Sequence, residues 1–373
     1  MTRIVQLANF YGPCTGGLKT VVEELAQRYT DLGLERVLIA PGRSDLRETC
    51  ASGTRIFMRA PSLPGSGGYR MITKTGDLLK LMDSLTPDVV EVSDKLTMVV
   101  AAGWASQRGI PCTLLSHERI DAILRGRVPR ALPLGRLADA WNRTLARSFD
   151  AVICPSRFAR QEFERIGVDN ASVVPWGVDL DIFSPDAVRG NAVTRAALEL
   201  VCVGRLSKEK EPDLAVGVAA ELRRRGLDVH LTMVGSGPMR RALERRAHHL
   251  PVTFAGHVHE RHEVARFFAA ADVTVAPCRA ETFGLAVLES LACGTPVVTS
   301  ESGAGVEVWA PGCGEAAPSD AERMADAVTV FLSCDRDTLR VRARERAEQF
   351  PWDRAAESVL NVHLGKRTPV GCA

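Results

Sequence analysis

A marked excess of either charge is missing from this sequence: 47 Lys and Arg face 45 Asp and Glu over 373 residues, a net of +2. A dedicated nucleic-acid binder usually carries a clearly basic balance, so that class is set aside. Lysine is itself scarce. Of the 47 basic residues 40 are Arg, a bias that reflects a GC-rich genome more than chemistry. Also absent is any CxxC pair. The ten cysteines lie scattered at Cys14, Cys50, Cys112, Cys154, Cys202, Cys278, Cys293, Cys313, Cys334 and Cys372, several within apolar runs such as Ala151-Val152-Ile153-Cys154. Buried free thiols in a reducing cytosol explain this usage, in place of a disulfide framework or a zinc site. No apolar run reaches the roughly 18 residues of a membrane span. The N-terminus has no charged segment leading into a long apolar core, Ile4 to Ala8 being only of strand length, so no export signal is expected. Low-complexity tracts and short-period repeats are missing too. The apolar fraction of 46% and charged fraction of 25% exclude wholesale disorder and collagen-like structure.

What the chain does have is alternation. Ile4–Ala8 is followed by a Gly-rich turn, the helical pattern Leu18–Leu32 and the run Val37–Ala40. Further strand-length runs are Val89–Val92, Thr113–Ser116 and Ala151–Pro155. Between Asp179 and Asn191 the chain turns irregular, with Pro185 and Gly190 as breakers. The alternation restarts at Leu198–Val203, Val229–Val234, Val252–Ala255, Val273–Ala276 and Pro296–Thr299. This is the pattern of parallel sheets covered by helices, and the length fits two domains. The reading is therefore two doubly wound α/β domains, residues 1–180 and 181–351. An amphipathic helix from Trp352 to Leu364 and a frayed tail from Gly365 follow, completing the segment 352–373.

In open α/β sheets the turns after strands bind ligands, and helix N-termini there present unpaired N–H groups to anions. Four such turns stand out. Gly12-Pro13-Cys14-Thr15-Gly16-Gly17-Leu18-Lys19-Thr20 nearly matches a P-loop, but Lys19 falls one residue late; either a tight turn or a close approach to phosphate or sugar suits the glycine pair. Cys14 in it reads as a small apolar filler. Val203-Gly204-Arg205-Leu206-Ser207-Lys208-Glu209-Lys210 places Arg205 and Lys210 either where they simply solvate a surface or where a fork and a point charge converge on one diphosphate. Val234-Gly235-Ser236-Gly237-Pro238 resembles GxGxxG, but Arg240 takes the third glycine's place, so a nicotinamide fingerprint is incomplete. The fourth turn carries Glu281, and Glu289 follows two helical turns on among Leu285, Val287, Leu288 and Leu291. A carboxylate in such a helix needs a partner, and sugar or ribose hydroxyls are suitable ones. His257, His259 and His262 match no common zinc spacing and read as a solvated turn.

The spacing of Glu281 and Glu289 around Phe283-Gly284 resembles the E-x7-E motif of retaining family-4 glycosyltransferases with the GT-B fold. Gly16-Gly17, His117, Pro175-Trp176-Gly177-Val178-Asp179, Phe183, Arg205, Lys210, Gly235-Ser236-Gly237-Pro238 and Gly256 agree in order, so the likeness runs from about residue 3 to 360. Within that family the sequence resembles actinobacterial GDP-mannose-dependent α-mannosyltransferases. The resemblance implies two Rossmann-like domains facing across a cleft and transfer of a hexosyl group from a nucleotide-diphosphate sugar. It implies no cofactor and no metal, the leaving phosphate itself taking the acceptor proton. Arg205 and Lys210 would hold the diphosphate and Glu289 the ribose. Glu281, with the N–H groups of Phe283, Gly284 and Leu285, would hold the transferred sugar. His117 would contact that sugar, Gly16 and Gly17 would lie against phosphate and acceptor, and backbone from Gly256 to Val258 would meet the base. The catalytic set is thus His117, Glu281, Arg205 and Lys210.

Three positions depart from the family pattern: Glu211 and Ala304 stand where glycine is common, and Trp176 replaces an asparagine. The donor reading leans to GDP-mannose; UDP-glucose or UDP-N-acetylglucosamine would use the same carboxylates and phosphate ligands. Rivals are a GT-B epimerase or phosphorylase, a dehydrogenase, and a non-catalytic sugar- or lipid-binding module, this last opposed by retention of all four charged residues. Between Arg119 and Arg147 seven Arg face only Asp121 and Asp139, interleaved with apolar residues including Trp141. Such a stretch is either a solvated helical face or a seat for anionic lipid. The second reading points to a cytoplasmic enzyme at the inner membrane face, with a glycolipid such as a phosphoinositide as acceptor. Residues 1–180 do hold the basic balance, 23 basic against 19 acidic. The acceptor itself would be read by loops including Pro61–Tyr69 and Asp94-Lys95.

Overall fold

In a computed structural model the chain divides into two compact units, Met1–Trp176 with Trp352–Ala373, and Gly177–Pro351. The structure describes residues 1–12, 16–63, 68–119, 134–187 and 197–365. Pro13, Cys14 and Thr15, residues 64–67, the arginine-rich 120–133, Gly190 and Asn191, and the tail from Lys366 with Cys372 lie outside the described residues.

The first unit runs β1 (Arg3–Leu7), α1 (Gly17–Asp31), β2 (Glu35–Gly42), β3 (Leu46–Cys50), β4 (Gly53–Arg59), α2 (Thr75–Leu85), β5 (Val89–Val92), α3 (Val100–Ser106), β6 (Cys112–Leu115), α4 (Leu134–Ser148), β7 (Ala151–Cys154), α5 (Arg157–Glu164) and β8 (Ala171–Val173). Its eight strands are ordered β3-β4-β2-β1-β5-β6-β7-β8, all neighbours parallel except the β3–β4 hairpin. The inner strands are short and β-branched, and Val5, Val37, Ile39, Val90, Val92 and Val152 are fully buried, as strands covered on both faces must be. The β3–β4 hairpin at one edge lacks that signature. Leu46 is exposed, and its alternation is too weak to have announced a strand.

The second unit runs β9 (Leu198–Val203), α6 (Pro212–Arg224), β10 (Val229–Val234), α7 (Arg240–Arg246), β11 (Val252–Gly256), α8 (Arg261–Ala270), β12 (Val273–Ala276), α9 (Leu285–Ala292), β13 (Val297–Ser300), α10 (Gly305–Val308), β14 (Gly314–Ala317), α11 (Ala321–Leu332) and α12 (Arg336–Ala347). Its sheet is wholly parallel, ordered β11-β10-β9-β12-β13-β14. Side-chain caps fix the later helices: Asp320 accepts from the N–H of Glu322 and Arg323 at 3.0 and 3.1 Å, and Asp335 from that of Thr338 at 2.8 Å. Each cap satisfies donors a helix start leaves open.

The chain then returns to the first unit as α13 (Trp352–His363), which packs on α1. Trp352 is fully buried, and Arg28 reaches Asp353 at 2.8 Å. His363 bridges inward, its Nε2 2.8 Å from Glu91 and its Nδ1 3.0 Å from the Thr113 hydroxyl. Where the chain enters and leaves the second unit, the N–H of Val178 donates to the carbonyl of Phe350 at 3.0 Å. Both sheets have the strand order of a doubly wound fold, with a reversal between β1 and β5 in one and between β9 and β12 in the other. Such a switch point opens a crevice at the carboxyl ends of the strands.

Candidate active site

At the switch point of the second unit the turns after β9 and β12 face each other, and these are the two turns that the sequence marks with charge. The ammonium of Lys210 donates to Glu281 Oε2 at 2.6 Å, joining residues 71 apart. Burial opposes the Lys210 charge, yet Glu281 outweighs it and pushes the ammonium well above its ordinary value. Burial alone would raise the Glu281 carboxyl. Lys210 and the N–H groups of Phe283 and Thr282 overcome this and hold it below the ordinary carboxylate range. Both groups are therefore charged at neutral pH. The Phe283 N–H, assigned by resemblance to the sugar, is donated to Glu281.

A second ion pair lies beside the first. Glu211 follows Lys210 directly, and its carboxylate takes Arg279 Nε at 2.9 Å and the Arg279 backbone N–H at 3.2 Å. Glu211 has a φ of +50°, in the left-handed region that costs a residue with a Cβ about 1–2 kcal/mol. Glycine is common there because it avoids that cost. Cys278 adds a third link, its thiol donating to the Glu209 carbonyl at 3.2 Å. Burial pushes that thiol up to about 12, so it stays protonated.

The turns after β9, β10 and β11 are laid against one another by backbone. Gly204 N–H donates to the Val234 carbonyl at 2.9 Å, Leu206 N–H to Ser236 at 3.0 Å, Met239 N–H to Leu206 at 2.9 Å and Gly235 N–H to Gly256 at 2.7 Å. A Cβ on Gly235 would lie 1.9 Å from the Gly204 carbonyl oxygen and one on Gly237 2.3 Å from that of Leu206. The two glycines are thus required by the close approach of these turns. Arg205 stands half-buried in the middle of this set, and Val258 follows Gly256 half-buried. Gly284 caps α9 at φ +99°, Leu285 is its first residue, and Glu289 sits half-buried two turns along. Phe283 is buried, edge-on to Phe350 at 6.4 Å. Behind them, the Ala304 N–H donates to the Glu281 carbonyl at 2.8 Å. Ala304 is buried with a right-handed φ of −82°, which explains why alanine serves there in place of glycine.

The first unit gathers polar groups at its own switch point. Asn9, after β1, donates to Asp94 and to Thr97, each at 2.9 Å, after β5. His117, at the end of β6, has its Nε2 3.2 Å from the Ser93 hydroxyl and stacks on Trp176 with centroids 5.7 Å apart. Burial, with the nearby charge of Lys95, lowers the imidazole to about 4 against a smaller opposing effect of Glu91, so the ring is neutral at pH 7. Trp176 is buried; the third departure from the family pattern is a shelf for His117. Lys95 itself is buried in an ion pair with Glu162 and donates to the Glu118 carbonyl at 2.7 Å. Gly16 caps α1 and Gly17 begins it. Among the described residues nothing lies within 4 Å of a Cβ placed on Gly16, so their packing does not require glycine at that position.

Among the described residues no group of three His, Cys, Asp or Glu could hold a metal ion; His257 and His259 stack edge-on at 4.4 Å. The eight described cysteines are free thiols, with Cys334 exposed and Cys50 half-buried. No described helix is long and apolar enough to cross a membrane. Sequence reasoning missed the roles of Arg279, Ser93 and Trp176. Arg279 alone carried a signal, as a cation two residues ahead of Glu281.

The family profile described as Glycosyl transferases group 1 matches residues 197–334, and that described as Glycosyltransferase Family 4 matches residues 15–182. A GDP-mannose-dependent alpha-(1-6)-phosphatidylinositol dimannoside mannosyltransferase of Mycobacterium tuberculosis is 42% identical over 363 residues, 96% of this chain and 95% of the relative. A D-inositol 3-phosphate glycosyltransferase of Xylanimonas cellulosilytica is 31% identical over 301 residues, 72% of this chain and 70% of that protein. Among solved structures, a sucrose-phosphate synthase of Thermosynechococcus elongatus superposes with a TM-score of 0.81 at 21% identity, over 98% of this chain and 99% of its own. Anabaena Alr3699/HepE, in complex with UDP and glucose, does so at 0.75 and 17% identity, over 97% and 99%. Fold and family together define an enzyme of GT-B architecture that transfers a glycosyl group. The chain belongs to the family-4 glycosyltransferases.

Proposed function

We propose that the protein is a retaining, metal-independent mannosyltransferase that uses GDP-mannose and glycosylates a phosphoinositide-type glycolipid. The observation that carries the reading is the Lys210–Glu281 pair at the second unit's switch point, in a chain 42% identical to a GDP-mannose-dependent mannosyltransferase over almost its whole length.

In this reading Arg205 and Lys210 receive the donor diphosphate, Glu289 its ribose and Glu281 its sugar. The backbone from Gly256 to Val258 meets the base, and Gly16 and Gly17 face phosphate and acceptor. Neutral His117 offers a hydrogen bond to a sugar hydroxyl. As the bond from the anomeric carbon to the diphosphate oxygen breaks, negative charge grows on the leaving group. Arg205, Lys210 and the positive N-terminal end of α9 stabilise that charge. The acceptor oxygen bonds to the anomeric carbon on the same face, and its proton passes to the departing phosphate oxygen. Arg205 and Lys210 are the protein cations that neutralise this charge in the proposed reaction.

Membrane contact is supported by α4. Its buried face is Ala138, Asn142, Leu145 and Ala146, while Arg136, Leu137, Trp141, Arg143 and Arg147 are exposed. Leu137 keeps 61% of its surface in water, the Trp141 ring is tethered through Nε1 to the Lys95 carbonyl at 2.9 Å, and Leu96, next in the chain, is exposed. Arginine beside an amphipathic tryptophan suits an anionic interface.

The test is a thermal-shift and turnover screen of purified protein with EDTA present, against GDP-mannose, UDP-glucose, UDP-N-acetylglucosamine and their diphosphates. Stabilisation by the guanosine pair, with slow release of GDP, is expected. Stabilisation by the uridine set alone moves the donor; stabilisation by none removes the donor site.

A further inference from the structure

We propose that Glu211 and Arg279 are positioning residues that fix the spacing between Lys210 and Glu281 and thereby set donor affinity. This rests on the donor-site reading above. Four charges alternate across the switch point. Lys210 and Glu211 project from the turn after β9, and meet Glu281 and Arg279 from the turn after β12. Glu211 stands at the N-cap position of α6, where a carboxylate ordinarily accepts from its own helix. It makes no such cap. Instead it crosses to Arg279, taking Nε at 2.9 and 3.1 Å, Nη2, and the Arg279 backbone N–H at 3.2 Å.

The backbone contact matters most, because it ties the carboxylate to the main chain two residues before Glu281. Its own backbone is held at φ +50°, a conformation glycine would adopt without strain, and strain of this kind persists where surrounding contacts over-determine it. The division of labour follows from what the donor must do. A diphosphate arriving at Lys210 competes with Glu281 for the ammonium, so the first ion pair weakens on binding. The second takes no part in that exchange and keeps the two turns at their distance while the first opens.

The experiment uses the full-length chain and calorimetric titration with GDP and with UDP, at a temperature well below the melting point of every variant. E211Q keeps the side-chain shape and removes the charge. R279A removes the fork, R279K keeps its charge, and E211G relaxes the backbone. Expected is a nucleotide affinity about tenfold weaker in E211Q and in R279A, with the double variant no weaker than either single one and R279K intermediate. E211G is expected to melt higher than wild type and still bind more weakly, a combination that a merely structural pair would not give. Unchanged affinity in E211Q and R279A, or losses that simply add in the double variant, overturns the proposal and leaves the donor site standing. A wild type that binds neither nucleotide overturns the donor reading, and this inference with it.

Discussion

Replacing Lys210 with alanine separates what the ion pair does for the fold from what it does for the reaction. The two side chains retain 37% and 24% of their exposure, and the stranded Glu281 carboxylate keeps the N–H groups of Thr282 and Phe283. Water can enter where the ammonium was. The stability cost is then near that of an exposed pair, about 1 kcal/mol, and not the ~3–5 kcal/mol of a pair broken in a dry interior. Turnover answers to another quantity. A fixed charge aimed at charge that develops in the transition state is worth roughly 10²–10³ in rate, about 2.7–4 kcal/mol. Denaturant unfolding and donor turnover measured on the same preparation give both numbers. A stability loss of about 3 kcal/mol or more with turnover within roughly tenfold of wild type would make the pair a structural element and refute the assignment.

Two further outcomes follow from the first unit. The His117 imidazole falls from 6.5 to about 4 on folding, so between those values the unfolded chain binds the extra proton. This contribution to stability is complete above about pH 6.5 and is lost as pH falls towards 4, by about 3 kcal/mol in all at 1.36 kcal/mol per unit. Unfolding of His117→Gln should therefore depend less on pH across that window, and parallel curves for the two proteins would sink the argument. Leu137→Glu should lower co-sedimentation with phosphatidylinositol-rich vesicles several-fold, as an apolar contact becomes an anion at an anionic surface, while GDP affinity stays at the wild-type value; equal sedimentation would mark α4 as an ordinary solvated face.

The architecture was legible because parallel strands buried on both faces must be written as short apolar runs, and Val89–Val92, Ala151–Cys154 and Val297–Ser300 are. The β3–β4 hairpin was not, since an edge strand with exposed Leu46 carries no such pattern. At the site, the turns holding Arg205, Lys210 and Glu281 could be named, because charge at the end of an apolar strand is visible in one dimension. That Lys210 meets Glu281 needed the strand order, which puts β9 beside β12. Glu211 looked like a mere variation. Its φ and its reach to Arg279, 68 residues away, belong to the folded chain and leave no local trace. The His117–Trp176 stack is of the same kind.

The return of α13 to the first unit has a consequence for how the protein is made. The ribosome delivers the second unit as one uninterrupted stretch, Gly177–Pro351, but the first unit in two instalments, the later starting at Trp352. Until that instalment emerges, Glu91 lacks the His363 imidazole that it holds at 2.8 Å, and the surface that Trp352 buries is open to water. The nascent first unit is then an unfinished domain for the whole time its neighbour is being translated. That interval is the window in which chaperones, or aggregation, would act on it.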